Sequence, residues 1–261
     1  MIRIGTSGWQ YEHWKNVVYP ADAPKKDWLK IYLSRFDTVE INTSFYNLTK
    51  RETYEKWKRQ VPKNFLFSAK LFRYITHRKR LIIDEKSAAI LKINLKNLEV
   101  LDKNLGAVLI QLPPNFKFNI ERLETFLKKL SALAKSIYCA RGVSASRCKK
   151  QPKFSIEFRH QSWFNQETYN LLKKYKIGWC ISESPNWKTQ IIKTTNWAYI
   201  RMHGSSRLFT SLYSEKELKK WVKEIKKLNA KEIFIYFNND WEGNAVKNAD
   251  YLKKVLNPVM K

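Results

Sequence analysis

Trp197-Ala198-Tyr199-Ile200-Arg201-Met202-His203 is almost wholly apolar until it ends in an Arg-x-His pair. A run of this kind reads as a strand buried on both faces, and its two-residue period sends Arg201 and His203 to the same side. Seven more short apolar runs share the character: Ile2–Ser7, Thr38–Ser44, Phe65–Phe72, Gly106–Leu112, Phe154–Phe158, Ile177–Ser182 and Glu232–Phe237. Amphipathic segments separate them. Ile120, Leu123, Phe126, Leu127, Leu130, Leu133 and Ala134 fall at three-to-four spacing and form one apolar stripe, as do Leu218, Trp221, Val222, Ile225 and Leu228. Ser214 with Glu217 three residues on supplies a capping-box start for the latter. Leu91, Leu95, Leu98 and Leu101 form a third helix and Ala245, Ala249, Leu252 and Leu256 a fourth; weaker helical patterns lie at 25–35, 51–60 and 166–175, and 184–196 is ambiguous. Eight alternating β and α units predict an α/β fold closed into a single (β/α)8 TIM-type barrel spanning residues 1–261. An open doubly wound sheet is disfavoured because no Gly-rich dinucleotide turn follows the first run.

In such a barrel, chemistry gathers at the C-terminal ends of the strands. The predicted ends are polar at period two: Glu40-x-Asn42, Glu157-x-Arg159, Arg201-x-His203 and Tyr236-x-Asn238-x-Asp240, with Lys70 and Gln111 as single contributions. Buried charge at such positions must be paired or used. Cations in a concave site favour an anion such as phosphate, phosphodiester or carboxylate. Gly204 and Ser205 follow the seventh strand, where barrels often build phosphate sites. Glu40 or Glu157 is a candidate general base and His203 an acid–base partner; the competing reading is that the carboxylates neutralise and orient the arginines. Glu40, Glu157, His203 and Asp240 also carry donors that a divalent metal could use, but with four His and no His-x-His or His-x-x-x-His spacing the sequence assigns no metal ligand, and the cofactor stays unknown.

The composition bounds the rest. The chain has 261 residues, 50 Lys plus Arg against 23 Asp plus Glu, and a net charge of +27. Ten Trp, 13 Tyr and 14 Phe exclude intrinsic disorder. No stretch approaches 18 consecutive apolar residues, and the first residues lack the pattern of a signal peptide, so the expectation is a cytoplasmic protein with no membrane span. Cys139, Cys148 and Cys180 are too few for a disulfide framework, and eight residues between the first two is outside the usual zinc spacing; three unconnected buried thiols are expected. Residues 136–153, with five basic residues and no acid, read as a basic insertion on a surface loop.

Much of the charge is lysine opposite the helical stripes, which marks solvated faces. From Lys50 to Arg80, however, eleven Lys and Arg stand against Glu52 and Glu55, with aromatic residues interleaved. Its last part, Arg73, Tyr74, His77, Arg78, Lys79 and Arg80, follows Lys70, and basic residues that track phosphates beside rings that stack bases make it a candidate contact for single-stranded DNA or RNA.

Ile4-Gly5-Thr6-Ser7-Gly8-Trp9, Val39-Glu40-Ile41-Asn42-Thr43-Ser44-Phe45-Tyr46, Phe67-Ser68-Ala69-Lys70 with Ile75-Thr76-His77, and Gln111-Leu112-Pro113-Pro114 together resemble the YecE-like family, domain of unknown function 72. Glu157-Phe158-Arg159-His160 with Ser162-Trp163, Arg201-Met202-His203-Gly204 and Tyr236-Phe237-Asn238-Asn239 extend the resemblance over nearly the whole chain. It implies a TIM-type barrel with a polar pocket at the strand C-termini, and no agreed reaction. The chain departs from the family's usual look in the basic 136–153 segment and in Trp241 after Asp240.

Taken together, these residues predict an anionic, phosphate-containing ligand at the barrel mouth. Catalysis falls to Glu40, Glu157 and His203. Binding falls to Asn42, Tyr46, Lys70, Gln111, Arg159, Arg201, Gly204, Ser205, Tyr236, Asn238, Asn239 and Asp240. The expected activity is a nuclease-like phosphodiester hydrolase; the alternatives are a non-catalytic nucleic-acid-binding protein and a sugar-phosphate enzyme.

Overall fold

The computed structural model describes residues 1–139, 148–149 and 151–256. Eight strands form in the predicted places: β1 (Ile2–Thr6), β2 (Thr38–Ile41), β3 (Leu66–Lys70), β4 (Leu105–Gln111), β5 (Lys153–Glu157), β6 (Gly178–Glu183), β7 (Trp197–Met202) and β8 (Glu232–Phe237). They make one parallel sheet in the order β1-β8-β7-β6-β5-β4-β3-β2, the strand set of a (β/α)8 barrel. The helices are α1 (Trp28–Leu33), the single turn α2 (Thr43–Tyr46), α3 (Arg51–Arg59), α4 (Glu85–Leu98), α5 (Ile120–Tyr138), α6 (Gln166–Lys174), α7 (Glu215–Lys227) and α8 (Asn244–Leu256). Residues 184–196, whose pattern is ambiguous in the sequence, carry no helix; an isolated bridge pairs Ser184 with Trp187. Among the described residues no helix is long and apolar enough to cross a membrane.

The stripes read from sequence are the buried faces. Leu123, Phe126, Leu127, Leu130 and Ala134 of α5 are inaccessible to solvent, and fully burying one Leu or Phe is worth about 1.5–3 kcal/mol. On α7, Leu218, Trp221, Val222 and Ile225 turn inward while Lys219, Lys220, Lys223, Lys226 and Lys227 face water. The capping box forms there: Ser214 Oγ accepts from the Glu217 N–H at 3.3 Å and the Glu217 carboxylate from the Ser214 N–H at 2.8 Å. A second box, Asp84 with Ser87, starts α4.

The chain divides into two compact units, Met1–Glu40 with Cys180–Lys261, and Ile41–Trp179. In the first, β1 pairs with β8 from Ile2 opposite Ile233 to Thr6 opposite Phe237, β8 pairs with β7, and a bridge from Ser7 to Glu40 ties the end of β1 to β2. Gly5 makes this approach possible: a Cβ there would lie 2.2 Å from the Thr38 carbonyl oxygen. In the second unit, β4 lies between β3 and β5, with Gln111 opposite Glu157.

One expectation is corrected. Cys139 and Cys148 are joined in a disulfide, their Cα atoms 4.6 Å apart, within the span such a bond requires; Cys180 is buried and outside any disulfide. Zinc spacing was the wrong test for this pair, because a disulfide requires only that the two Cα atoms come within its span. Of the basic 136–153 segment, residues 140–147 and 150 lie outside the described residues; residues 136–138 complete α5, and Lys149 pairs with Glu99.

Candidate functional site

The predicted site residues fall into two groups, one in each compact unit. In the first unit they surround Arg201. Glu40 and Arg201 are both fully buried at the ends of β2 and β7. Glu40 Oε1 accepts from Arg201 Nη2 at 2.8 Å, from Arg201 Nε at 3.2 Å and from the Ser7 hydroxyl; Oε2 accepts from the Tyr199 hydroxyl at 3.0 Å. Burial first, then the Glu40 carboxylate, push the Tyr199 phenol well above its ordinary value, so it remains a donor. Arg201 Nη1 lies 3.2 Å from His203 Nε2; a guanidinium only donates, so Nε2 accepts. Nδ1 faces the Asn238 carboxamide at 3.0 Å, and Trp187 and Phe209 stand edge-on to the ring at 5.4 and 5.7 Å.

The remaining members of this group are tied into the fold. Tyr236 shares a 2.6 Å hydrogen bond with Thr38 Oγ1, and Asn239 donates to the Ser211 carbonyl and to Asn248. Gly204 adopts φ 106°, and its N–H donates to the Tyr213 hydroxyl; the N–H groups of Ser206 and Arg207 both donate to Ser211 Oγ. The loop read as a phosphate cradle therefore spends these donors on itself, while Ser205 is half-buried. Asp240 lends its backbone carbonyl to Trp14, and burial raises its carboxyl above the usual range. Ser7, Tyr199 and Thr38 belong to this network without having been singled out. Tyr199 could have been found, since it continues the Arg201 and His203 period toward the strand interior.

The second unit holds Asn42, Tyr46, Lys70, Gln111, Glu157, Arg159 and the basic stretch. Lys70 is 5% exposed at the end of β3; its Nζ donates to Asn42 Oδ1 at 3.2 Å and sits 4.4 Å from the centre of the Phe45 ring. Such a cation over an aromatic face is worth about 0.5–2 kcal/mol. Ser44 fixes this corner by donating to the Lys70 carbonyl at 2.8 Å while accepting from its N–H. Glu157, fully buried, accepts from Arg159 Nε at 2.6 Å. His77 meets the other edge of the arrangement, its ring 4.8 Å from Phe45. Burial, then the positive field of Arg159, Lys70 and Arg73, pulls His77 down to about 4, with Glu157 opposing. Gln111 is buried at the end of β4.

The members of the basic stretch have different surroundings. Arg73, Tyr74 and Arg78 join Tyr46 and Phe72 around an open cavity of about 240 Å³. Lys79 instead pairs with Asp84 at 2.5 Å, and that contact together with the Ser87 N–H holds Asp84 at about 2. Arg80 is exposed and in the left-handed region, φ 47°, outside the cavity lining. Among the described residues no group of three or more His, Cys, Asp and Glu stands together as a metal site.

With the geometry described, comparison with known proteins becomes informative. The family model described as "Protein of unknown function DUF72" matches residues 3–261, in agreement with the motif resemblance. UPF0759 protein YunF of Bacillus subtilis (strain 168) is 26% identical across 98% of this chain and 95% of its own length. The crystal structure of a DUF72 family protein from Thermotoga maritima MSB8 is similar with a TM-score of 0.80 at 29% identity, covering 98% of this chain and 99% of that one. A second, from Enterococcus faecalis V583, matches at TM-score 0.79 and 22% identity over 100% and 97% of the two chains, and supports the fold alone.

Proposed function

The chain belongs to the DUF72 family, and we propose that the cation site of Lys70 and Arg159, beside His77, binds a phosphate-containing anion, in particular a phosphodiester. The observation that carries this reading is geometric: Lys70, 5% exposed, and Arg159, whose side chain is largely buried, follow the ends of β3 and β5 as cations fixed by Asn42 and Glu157. His77 beside them is pulled to about 4, first by burial and then by the field of Arg159, Lys70 and Arg73. Arg159 is pre-oriented by Glu157 and Lys70 by Asn42 and Phe45, so little side-chain freedom is lost on binding.

Hydrolysis is a second reading, favoured by one observation: Glu157 places a buried carboxylate against the guanidinium that would hold the phosphate. As base it would take a proton from an attacking water; as partner of Arg159 it only aims that side chain. Glu40 and His203 are held by Arg201 and support orientation rather than proton transfer.

Fluorescence anisotropy with a labelled single-stranded oligonucleotide at about 50 mM salt tests the binding reading. Lys70→Met and Arg159→Met should each weaken binding about tenfold, and Lys70→Met should flatten the plot of log affinity against log salt by about 0.7, the value for one lost phosphate contact on a single strand. Unchanged affinity in both variants refutes it. Cleavage of the same probe, with and without Mg²⁺ or Mn²⁺, that disappears in Glu157→Gln would establish the hydrolytic reading, and cleavage that persists would remove Glu157 from it.

A further inference from the structure

We infer that the cavity lined by Tyr46, Phe72, Arg73, Tyr74 and Arg78 receives an unpaired nucleobase, so that the ligand is single-stranded nucleic acid rather than a sugar phosphate or a free anion. The inference rests on the phosphate reading of the adjoining cation site. Three rings contribute to the cavity. Tyr46 is 56% exposed, and Phe72 and Tyr74 lie nearly parallel, 18° apart, with centres separated by 6.3 Å. Large aromatic surface left in water on a folded chain marks a contact site, and flat rings flanked by guanidinium groups suit the face of a base. Arg73 and Arg78 are exposed, and the lining includes no carboxylate. At about 240 Å³ the space is smaller than the usual range for whole ligands, about 300–1,000 Å³, which suits one planar ring system better than a complete cofactor.

Phe45 joins the two places. Its buried ring meets Tyr46 edge-on at 5.0 Å, His77 edge-on at 4.8 Å and Lys70 Nζ at 4.4 Å, so one side chain separates the cations from the aromatic cavity. A phosphate held by Lys70 and Arg159 would therefore carry its attached nucleoside toward Tyr46. The backbone is arranged to present these groups: Tyr74–Arg78 forms a π-helical turn, a geometry common at functional sites, and Leu81 follows in the left-handed region at φ 67°. Base faces are covered in a duplex, so this cavity selects the single strand.

The test uses the full chain, four probes and four variants. The probes are a labelled single-stranded octanucleotide, the same octanucleotide with abasic sugars, its duplex, and inorganic pyrophosphate as competitor. Tyr46→Ala and Tyr74→Leu should weaken the intact single strand about fivefold to a hundredfold, the range for losing one stacked base, while leaving abasic and pyrophosphate affinity unchanged. Lys70→Met should weaken all three. Tyr46→Phe should restore binding, which separates stacking from misfolding, and unfolding curves of each variant check the fold directly. Equal affinity for abasic and intact strands, or for duplex and single strand, overturns the base pocket while leaving the cation site standing. Failure of every probe to bind overturns both readings.

Discussion

Replacing Arg201 by Met should destabilise the protein more than any other change at the strand ends. Arg201 and Glu40 have no exposed side-chain surface, so the pair sits where an unpaired charge is costly. The substitution removes two hydrogen bonds from Glu40 Oε1, at 2.8 and 3.2 Å, and leaves the carboxylate with Ser7 and Tyr199 as its hydroxyl donors. It also takes from His203 the donor at Nε2. Breaking a buried ion pair by removing one partner typically costs about 3–5 kcal/mol. At about 2–4 °C per kcal/mol for a chain of this size, the midpoint should fall by roughly 6–20 °C. Glu40→Leu in the same background removes the stranded charge and should recover at least half of the loss, because two absent charges cost less than one buried alone. Urea and thermal unfolding followed by circular dichroism, at one pH and salt, give both numbers. A loss below about 1 kcal/mol in Arg201→Met, or a double variant no more stable than the single one, would refute the view that this network holds the strand ends together.

Two further outcomes follow from local geometry. Gly5→Ala would place a Cβ 2.2 Å from the Thr38 carbonyl and 3.0 Å from the Tyr32 hydroxyl, so β1 and β2 must separate; the variant should lose more than about 3 kcal/mol in urea unfolding or fail to accumulate as soluble protein, and near-normal stability would contradict the register. Phosphodiester binding should tighten as pH falls from 7 toward 5 at constant ionic strength, because an anion beside Arg159, Lys70 and Arg73 cancels part of the field that holds His77 near 4, so that bound anion and bound proton favour each other. His77→Asn should abolish that pH dependence in anisotropy titrations. In the free protein the sign is opposite: the unfolded chain takes its proton near 6.5 and the folded one near 4, so His77 costs stability as pH drops through that window.

The strands were legible because burial on both faces leaves long apolar runs, and the period-two polar ends marked where side chains converge. Tyr199, Arg201 and His203 sit in one network for that reason. Periodicity gives direction and says nothing of occupancy. It could not show that Glu40 is already engaged by Arg201, Ser7 and Tyr199, or that the Gly204 loop turns its donors on Tyr213 and Ser211. Nor could it show that Lys79 is taken by Asp84, although Asp84 follows only five residues later: both a solvated run and a paired one read as charge. The Cys139–Cys148 bond depends on how near the two residues come in space, which composition does not encode.

The overall charge of +27 likewise says little until it is resolved into neighbourhoods. Exposed lysines on α7 contribute to it as charge facing water. At the strand ends the deciding quantity is the local balance of cation and carboxylate. In the first unit Glu40 answers Arg201 within one buried network, and the result is structural. In the second unit burial first, and then Arg159, Lys70 and Arg73 against Glu157, drive His77 toward its neutral form. Similar residue types at similar strand positions thus yield one closed ion pair in the first unit and, in the second, the pair of Glu157 and Arg159 with Lys70 and Arg73 acting on the same histidine. That local balance, rather than the total, is what bears on the proposed phosphate binding.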